Sequence, residues 1–520
     1  MRRALASLTL LAALAAPRAQ AYNEAVHAYL TQRAFAGRAE WLGERVTAPG
    51  AAGLTAYRAR FWQLASRCDD AALRAAFLAR FPSVESLDAW SFKELLMLDP
   101  AATVHGIDDA PGGARPLRAE ILAPASRWPD DDGRNQNRFQ RDAQRQIVRG
   151  ADGLPLPYDP ATLALGPVSG LSSQGHAHYG LLPGPLSDDP EVLKSDPRRF
   201  AVPPDARSWG AQFAQLYTDL AIVAHGGEGQ PPDPWLEAAF AGGAFHHLQD
   251  ISNQIHTIQV GIFEFFEAAF LQSEARDLET LGGLLGPRRS LVQLGVHIIS
   301  NQHLLLEDLF AKRVLEQAAG RPAAPALPAA KALSAALDGL ERDDDAFAQR
   351  ARAAMARGGA AGPIESLARE LIEESSREGP ACYRLIWNLS VPEMHDGAGF
   401  SFDGAKGDDP DAFVFTSGAA AQEQLAALYA LESKGLRRAT TAQRLWLEEY
   451  QRALREPLAG QRAVERVLRL VLPYHREAAA RRAAWVPAHD EQRIAWGWPL
   501  AAFGLLAGGL LLVARAAARA

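Results

Sequence analysis

Cysteine is scarce in this sequence: 520 residues contain only two, Cys68 and Cys382. Two cysteines so far apart show none of the spacings of a disulfide-stabilised small domain, and the sequence leaves open whether they pair. Alternating runs of β-branched residues are almost absent, which argues against a fold built on strands. A glycine-rich nucleotide-binding motif and a repeat of fixed period are also missing.

An excess of positive charge is also lacking, because 54 Lys and Arg against 61 Asp and Glu give a net charge of −7. The first 21 and the last six residues contain arginines and no acidic residue, so the rest of the chain is more acidic still. This balance argues against affinity that comes from a general phosphate-binding surface. It leaves room for a local basic patch.

The two ends of the chain predict export and membrane attachment. Residues 1–21 combine Arg2 and Arg3, an apolar stretch and an A-x-A site, which is typical of a signal peptide cleaved before Tyr22. Residues 494–514 contain no charged side chain, and a helix of that length reaches about 30 Å. They predict a membrane anchor that holds the body on the periplasmic or extracellular side, or a sorting tail that is later removed.

Apolar residues recur mainly with the helical period, as in Phe213, Leu216, Tyr217 and Leu220. Together with abundant alanine, this pattern predicts an all-α fold. Further helical runs are predicted at 55–97, 237–272, 291–316, 364–376, 419–433 and 440–482. The predicted organisation is a domain at 22–318, followed by a helical extension of unknown role at 319–490 that either packs on the first domain or folds separately.

The stretch that begins at Gly243, GAFHHLQDISNQIH, carries the first candidate chemistry. His246 and Asp250 are four residues apart, so they project from one face of a helix, whereas His247 does not keep this step. His256 follows in the same predicted element. Imidazole and carboxylate are the ligands that zinc takes in catalytic sites, so H-x3-D-x5-H is a candidate metal motif.

Further metal-ligand signals lie on both sides of this motif. His303 and Glu307 repeat the four-residue step on another predicted helix, with His297 as an alternative ligand that lacks a carboxylate partner. RWPDDDGR offers Asp130, with Asp131 and Asp132 as alternatives, and GHAHYG offers His178 or His176.

The predicted mature terminus adds a signal of its own. Its amine has a pKa of about 7.7–8.0, so a metal can displace its proton. His27 lies five positions after Tyr22. Removal of the signal peptide would then create part of a metal site.

In this order the motifs resemble those of the zinc-dependent phospholipase C and single-strand-specific nuclease superfamily. Its members begin the mature chain with an aromatic residue, usually Trp, and a nearby His. They continue with W-x-D, a His before an aromatic residue, H-x3-D-x5-H, and H-x3-E or H-x3-D. The matching positions are Tyr22, His27, Asp130, His178, His246, Asp250, His256, His303 and Glu307. Tyr22 replaces the usual Trp, and the gaps before Asp130 and His303 are longer than in compact members.

The resemblance implies three Zn²⁺ ions at the bottom of a cleft in a multi-helix domain. One zinc would be bound by Asp130, His178, His246 and Asp250, and a second by His256, His303 and Glu307. The third would be bound by the amine and carbonyl of Tyr22, by His27 and by Asp250, which bridges two metals.

The expected function is metal-assisted hydrolysis of a phosphodiester, because zinc activates water and neutralises phosphate oxygens. Asp130 is the candidate general base. A phospholipid substrate suits an acidic body with a membrane anchor. Single-stranded nucleic acid, which would need stacking aromatics and basic residues in the cleft, is the alternative, as is a non-catalytic zinc-binding protein.

Overall fold

The computed structural model describes residues 24–36, 42–96, 117–131, 180, 210–226, 231–257, 302, 305–316, 319, 328–394 and 409–473. Regular structure within these residues is helical, with two isolated β-bridges and no strand. The predicted all-α class is therefore confirmed for the described part of the chain. Its helices are α1 (Glu24–Ala34), α2 (Ala51–Ser66), α3 (Ala71–Arg80), α4 (Ala89–Leu96), α5 (Arg118–Asp131), α6 (Gly210–His225), α7 (Pro234–Asp250), α8 (305–316), α9 (Pro328–Asp338), α10 (Asp345–Arg357), α11 (Pro363–Leu389), α12 (Ala419–Leu454) and α13 (459–473).

Helix α7 is the central element of the fold. Asp233 caps it by accepting a hydrogen bond from the Leu236 amide. Pro234 occupies the first helical position, where an amide hydrogen would have no partner within the helix and where proline, which has none, is therefore favoured. Every residue from 235 to 250 is buried, which is the property of a helix surrounded by others rather than of a surface helix. The helix therefore carries His246 and Asp250 into the interior.

Two glycines allow the neighbours of α7 to approach closely. A Cβ atom on Gly242 would lie 2.4 Å from the Ala125 Cβ of α5, and one on Gly243 would lie 2.4 Å from the Tyr217 Cδ1 of α6. Side chains at these positions would push the helices apart, because such contacts are far inside van der Waals distance. The pair Gly242–Gly243 therefore sets the spacing of α5, α6 and α7.

The helices after residue 340 share the interior of the earlier ones. Trp446 of α12 is fully buried and donates a hydrogen bond from its indole nitrogen to Thr218 Oγ1 of α6 at 2.7 Å. Arg466 of α13 pairs with the buried Asp219 of α6, with Nη2 to Oδ1 at 2.5 Å. Helices α12 and α13 therefore pack against α6.

Several predicted helical runs have different bounds in the structure. The described part of the run at 55–97 contains the helices α2, α3 and α4, and the run at 364–376 is part of the longer helix α11. Helix α12 passes through Gly435 without a break, so it joins the run at 419–433 to the first part of the run at 440–482, which is interrupted after Leu454 and continues as α13. A glycine costs only about 1 kcal/mol in a helix interior, and tertiary packing of α12 offsets that cost.

Three other sequence expectations concern the cysteines and the termini. Cys68 and Cys382 are both buried free thiols, so they do not form the disulfide that the sequence left open. The predicted signal peptide at 1–21 and the predicted anchor at 494–514 lie outside the described residues. Among the residues that are described, no helix has the length and apolar character needed to cross a membrane.

Candidate metal centre

Three side chains from distant parts of the chain meet in the interior. His27 lies in the first turns of α1, and His246 and Asp250 occupy the last turns of α7. One nitrogen or carboxylate oxygen from each lies within 4.8 Å of the others, and all three residues are fully buried. His27 Nε2 is 3.4 Å from Asp250 Oδ1, and His246 Nε2 is 2.9 Å from Asp250 Oδ2.

The orientation of His246 is set by helix α5. Its Nδ1 lies 2.8 Å from the carbonyl oxygen of Ser126, an acceptor only, so Nδ1 carries the hydrogen that is donated. The opposite nitrogen, Nε2, then faces Asp250. Metal-binding histidines typically donate the hydrogen of their second ring nitrogen to a carbonyl or carboxylate in this way, and this hydrogen bond fixes the tautomer.

The orientation of His27 is set by Gln249. The Gln249 amide nitrogen donates to Thr31 Oγ1 at 2.9 Å and to the His27 carbonyl at 3.3 Å. Its amide oxygen is therefore the acceptor that faces His27 Nδ1. As for His246, the hydrogen is on Nδ1 and Nε2 is directed to Asp250. Thr31 thus holds the Gln249 amide, and Gln249 in turn orients His27.

This arrangement fits a bound cation. In their neutral forms both imidazoles direct the lone pair of Nε2 at the oxygens of one carboxylate, which is repulsive unless protons or a metal lie between them. Neighbouring ligands of a tetrahedral zinc ion are separated by about 3.3 Å, close to the 3.4 Å between His27 Nε2 and Asp250 Oδ1. The chemistry and spacing of the donors therefore suit a metal.

A second imidazole–carboxylate pair adjoins the first group. His256 Nε2 lies 2.9 Å from Glu307 Oε1 of helix α8, and its Nδ1 lies 4.0 Å from Asp250 Oδ1. Both side chains are buried. Asp250 is therefore the carboxylate common to His27, His246 and His256. Five of the nine sequence-predicted positions, Asp250 included, therefore lie in one buried group.

The sequence pattern predicted that the whole motif H-x3-D-x5-H lies on one helix, and the structure shows that it does not. Helix α7 ends at Asp250, and His256 belongs to a separate 3₁₀ helix, Gln254–Thr257. Ser252 donates to the Gln249 carbonyl at 2.6 Å, and Asn253 Oδ1 accepts from the Ile255 amide at 3.1 Å. Such side-chain hydrogen bonds compete with the helical pattern. The resulting turn brings His256 back towards Asp250.

The remaining predicted ligands are only partly described. Tyr22, His178 and His303 lie outside the described residues, as do the alternatives His176 and His297. The backbone of Asp130 lies on α5, one helical turn after Ser126, whose carbonyl binds His246. The backbone of Gly180, two positions after His178, donates a hydrogen bond to the His256 carbonyl at 3.2 Å.

The structure separates the two adjacent histidines of α7. The ring of His247 packs against Phe213 and Tyr217 of α6, with ring centroids 5.5 and 5.3 Å apart. His246 is the one at Asp250, as the four-residue step predicted. Gln249 and Ser126 were not predicted from the sequence. A buried glutamine beside two candidate ligands was the available signal for Gln249, whereas no sequence pattern indicated the Ser126 carbonyl.

Comparison with known proteins adds no assignment to this geometry. The chain matches no protein-family model, no curated protein and no solved structure.

Proposed function

We propose that this chain is a metal-dependent phosphodiester hydrolase of the phospholipase C type. One observation carries the proposal: His27, His246, Asp250, His256 and Glu307 meet as one buried group of imidazoles and carboxylates. Fully buried carboxylates are rare without a partner of opposite charge. Their order along the chain is that of the motifs in the resembling superfamily.

The ligand sets follow the resemblance. His246 and Asp250 would hold one zinc with Asp130 and His178, and His256 and Glu307 would hold a second with His303. His27 and Asp250 would hold a third with the backbone of Tyr22. When bound, zinc supplies Lewis-acid activation of water and neutralises charge on phosphate oxygens.

The chain's own residues supply orientation and proton transfer. The Ser126 carbonyl and the Gln249 amide oxygen keep Nε2 of His246 and His27 directed inwards, so ligand geometry does not have to be organised on binding. Asp130, one turn beyond Ser126 on α5, is proposed as the general base that takes the proton of the attacking water. A serine or cysteine nucleophile is not required.

The preference for a phospholipid rests on charge and on the termini. The chain has a net charge of −7, which disfavours a polyanion such as nucleic acid. The predicted export signal and the predicted span at 494–514 would place the site next to a membrane surface. The proposed substrate is therefore a phospholipid whose phosphorylated head group is released.

The proposal is tested with purified protein that begins at Tyr22 and ends before residue 494, supplied with zinc. Phosphatidylcholine vesicles are expected to release a water-soluble phosphorylated head group, measured as phosphorus in the supernatant. Single-stranded DNA is expected to remain intact in the same buffer. Cleavage of the DNA with intact vesicles would replace the phospholipase by the nuclease. Bound metal without turnover of either substrate would indicate a binding protein.

The terminal amine gives a separate prediction. A protein with one residue added before Tyr22 is expected to retain one metal ion fewer than the protein that begins at Tyr22. An amide has no available lone pair, whereas an amine with a pKa of about 7.7–8.0 binds metal after losing its proton. Metal analysis after dialysis provides the measurement, and Tyr22→Trp, which keeps the free amine, is the control. Equal metal content with and without the added residue would exclude the amine as a ligand.

A further inference from the structure

The 3₁₀ segment that carries His256 is enclosed by helices from outside the resembling region. The matched motifs end at Glu307, yet α11 packs directly on Gln254–Thr257, and α12 packs on α11. The turn and 3₁₀ helix from Ser252 to His256, here called the His256 segment, are fully buried there. The segment therefore depends on contacts that the motifs do not include.

Both helices contact the carbonyl oxygen of Ser252. Ser375 of α11 donates its hydroxyl hydrogen to this oxygen at 3.1 Å. On the other side, a Cβ atom at Gly435 of α12 would lie only 2.7 Å from the same oxygen. The close approach of the segment to α12 therefore requires a glycine at position 435, in the middle of that helix.

A second polar residue of the segment, Gln254, is also held by both helices. Its amide nitrogen donates to the Leu431 carbonyl of α12 at 2.8 Å and to Glu378 Oε2 of α11 at 3.1 Å. Glu378 is in turn held by Arg438 of α12, with both oxygens 2.9 Å from the guanidinium nitrogens. The ion pair joins α11 to α12 at the point where both contact Gln254.

Helix α11 also contacts the chain next to another predicted ligand. Gly180, two positions after His178, donates to the His256 carbonyl at 3.2 Å. A Cβ atom at Gly180 would lie 2.3 Å from Ile372 Cγ1 of α11. The His256 backbone is therefore packed between Gly180 and the helix pair, and its own amide donates to the Asn253 carbonyl at 3.2 Å.

We infer that α11 and α12 position the His256 ligand, with Ser375, Glu378 and Gly435 acting on it through Ser252 and Gln254. These are positioning residues, because each of them contacts the His256 segment and not the imidazole. The extension that the motifs leave without a role would thus be part of the metal centre. This inference rests on the proposed function.

The test uses Gly435→Ala and the milder Ser375→Ala in the whole chain, with Gly460→Ala as the control. Gly460 lies at the start of α13, where a Cβ meets only the flexible end of Leu64 at 3.3 Å. Hydrogen exchange is measured on peptides that cover 251–257 and, as a reference, 210–225. Metal retention after dialysis is measured with zinc as the probe, for each variant alone and combined with His256→Ala.

Both test variants are expected to increase exchange in 251–257 about tenfold or more, without change in 210–225. Each is also expected to lose the zinc that His256→Ala loses, and to cause no further loss when combined with His256→Ala. Such non-additivity marks residues that act through one another. The control should match the wild type in both measurements.

Two results would overturn the inference. Unchanged exchange at 251–257 would show that the helices do not hold the segment. Faster exchange with full zinc retention, or zinc losses that add to those of His256→Ala, would show that the contacts are structural only. A wild-type chain that binds no zinc would instead contradict the proposed function, and exchange alone would then show whether α11 and α12 hold the segment.

Discussion

Replacement of Asp250 by asparagine is expected to remove more than one metal ion and to lower hydrolysis by about 1000-fold or more. Asp250 is the carboxylate shared by His27 at 3.4 Å, His246 at 2.9 Å and His256 at 4.0 Å. Asparagine keeps the shape but loses the negative charge and directs an N–H₂ donor at one imidazole or the other. A loss of about 4 kcal/mol of transition-state stabilisation corresponds to that change in rate.

The measurements are zinc content and the rate of head-group release from phosphatidylcholine vesicles. Asp219→Asn is the matched control, since Asp219 is an equally buried carboxylate that pairs with Arg466 of α13 and not with the histidines. The control is expected to lower thermal stability and to keep its zinc. If Asp250→Asn retains the zinc content of the wild type, Asp250 is not a bridging ligand and the assignment of the centre fails.

Replacement of Glu237 by glutamine is expected to destabilise the fold by about 3–5 kcal/mol. Glu237 is fully buried at the beginning of α7, where Oε2 lies 2.8 Å from Arg118 Nη1 of α5 and Oε1 accepts a hydrogen bond from Tyr450 at 2.8 Å. The substitution leaves the buried Arg118 guanidinium facing a neutral amide, with the half-exposed Glu44 as its remaining carboxylate partner. Because this pair ties α5 to α7 at the end opposite Ser126 and His246, the variant also tests how firmly the two helices are held together.

The free energy of unfolding, measured in urea at pH 7, gives the result. The control is Glu370→Gln, which removes the 2.9 Å ion pair with the half-exposed Arg350 on the surface and is expected to cost about 1 kcal/mol or less. If Glu237→Gln also lowers the free energy of unfolding by less than about 1 kcal/mol, the buried pair contributes no more to stability than a surface pair.

Glu237 also makes the free energy of unfolding depend on pH. Burial acts to raise the pKa of Glu237, but the hydrogen bond to His225, the charge of Arg118 and the Tyr450 hydroxyl outweigh it and lower the pKa from its ordinary value. A carboxylate with a lowered folded-state pKa stabilises the protein above the unfolded-state value of about 4.3 and loses this contribution as the pH falls. The difference in unfolding free energy between wild type and Glu237→Gln should therefore shrink below about pH 4.

The local sequence pattern predicted the helical class of the described residues and part of the candidate metal centre. Helical periodicity and abundant alanine predicted the all-α class, and the four-residue step singled out His246 over His247 as the partner of Asp250. The same step identified Glu307, which lies beside His256. These predictions succeed because the geometry of a single helix is set by its own 3.6-residue period.

Tertiary structure alone decided what these residues meet. His27 reaches a helix 222 positions away along the chain, and only there do Gln249 and Ser126 orient the two imidazoles. The turn after Asp250, and the contacts of α11 and α12 on the His256 segment, were likewise not predicted. The hydrophobic period of a helix shows which residues share a face, but the partner of that face depends on packing of the whole interior. In this protein that packing brings α11 and α12 to the candidate metal centre.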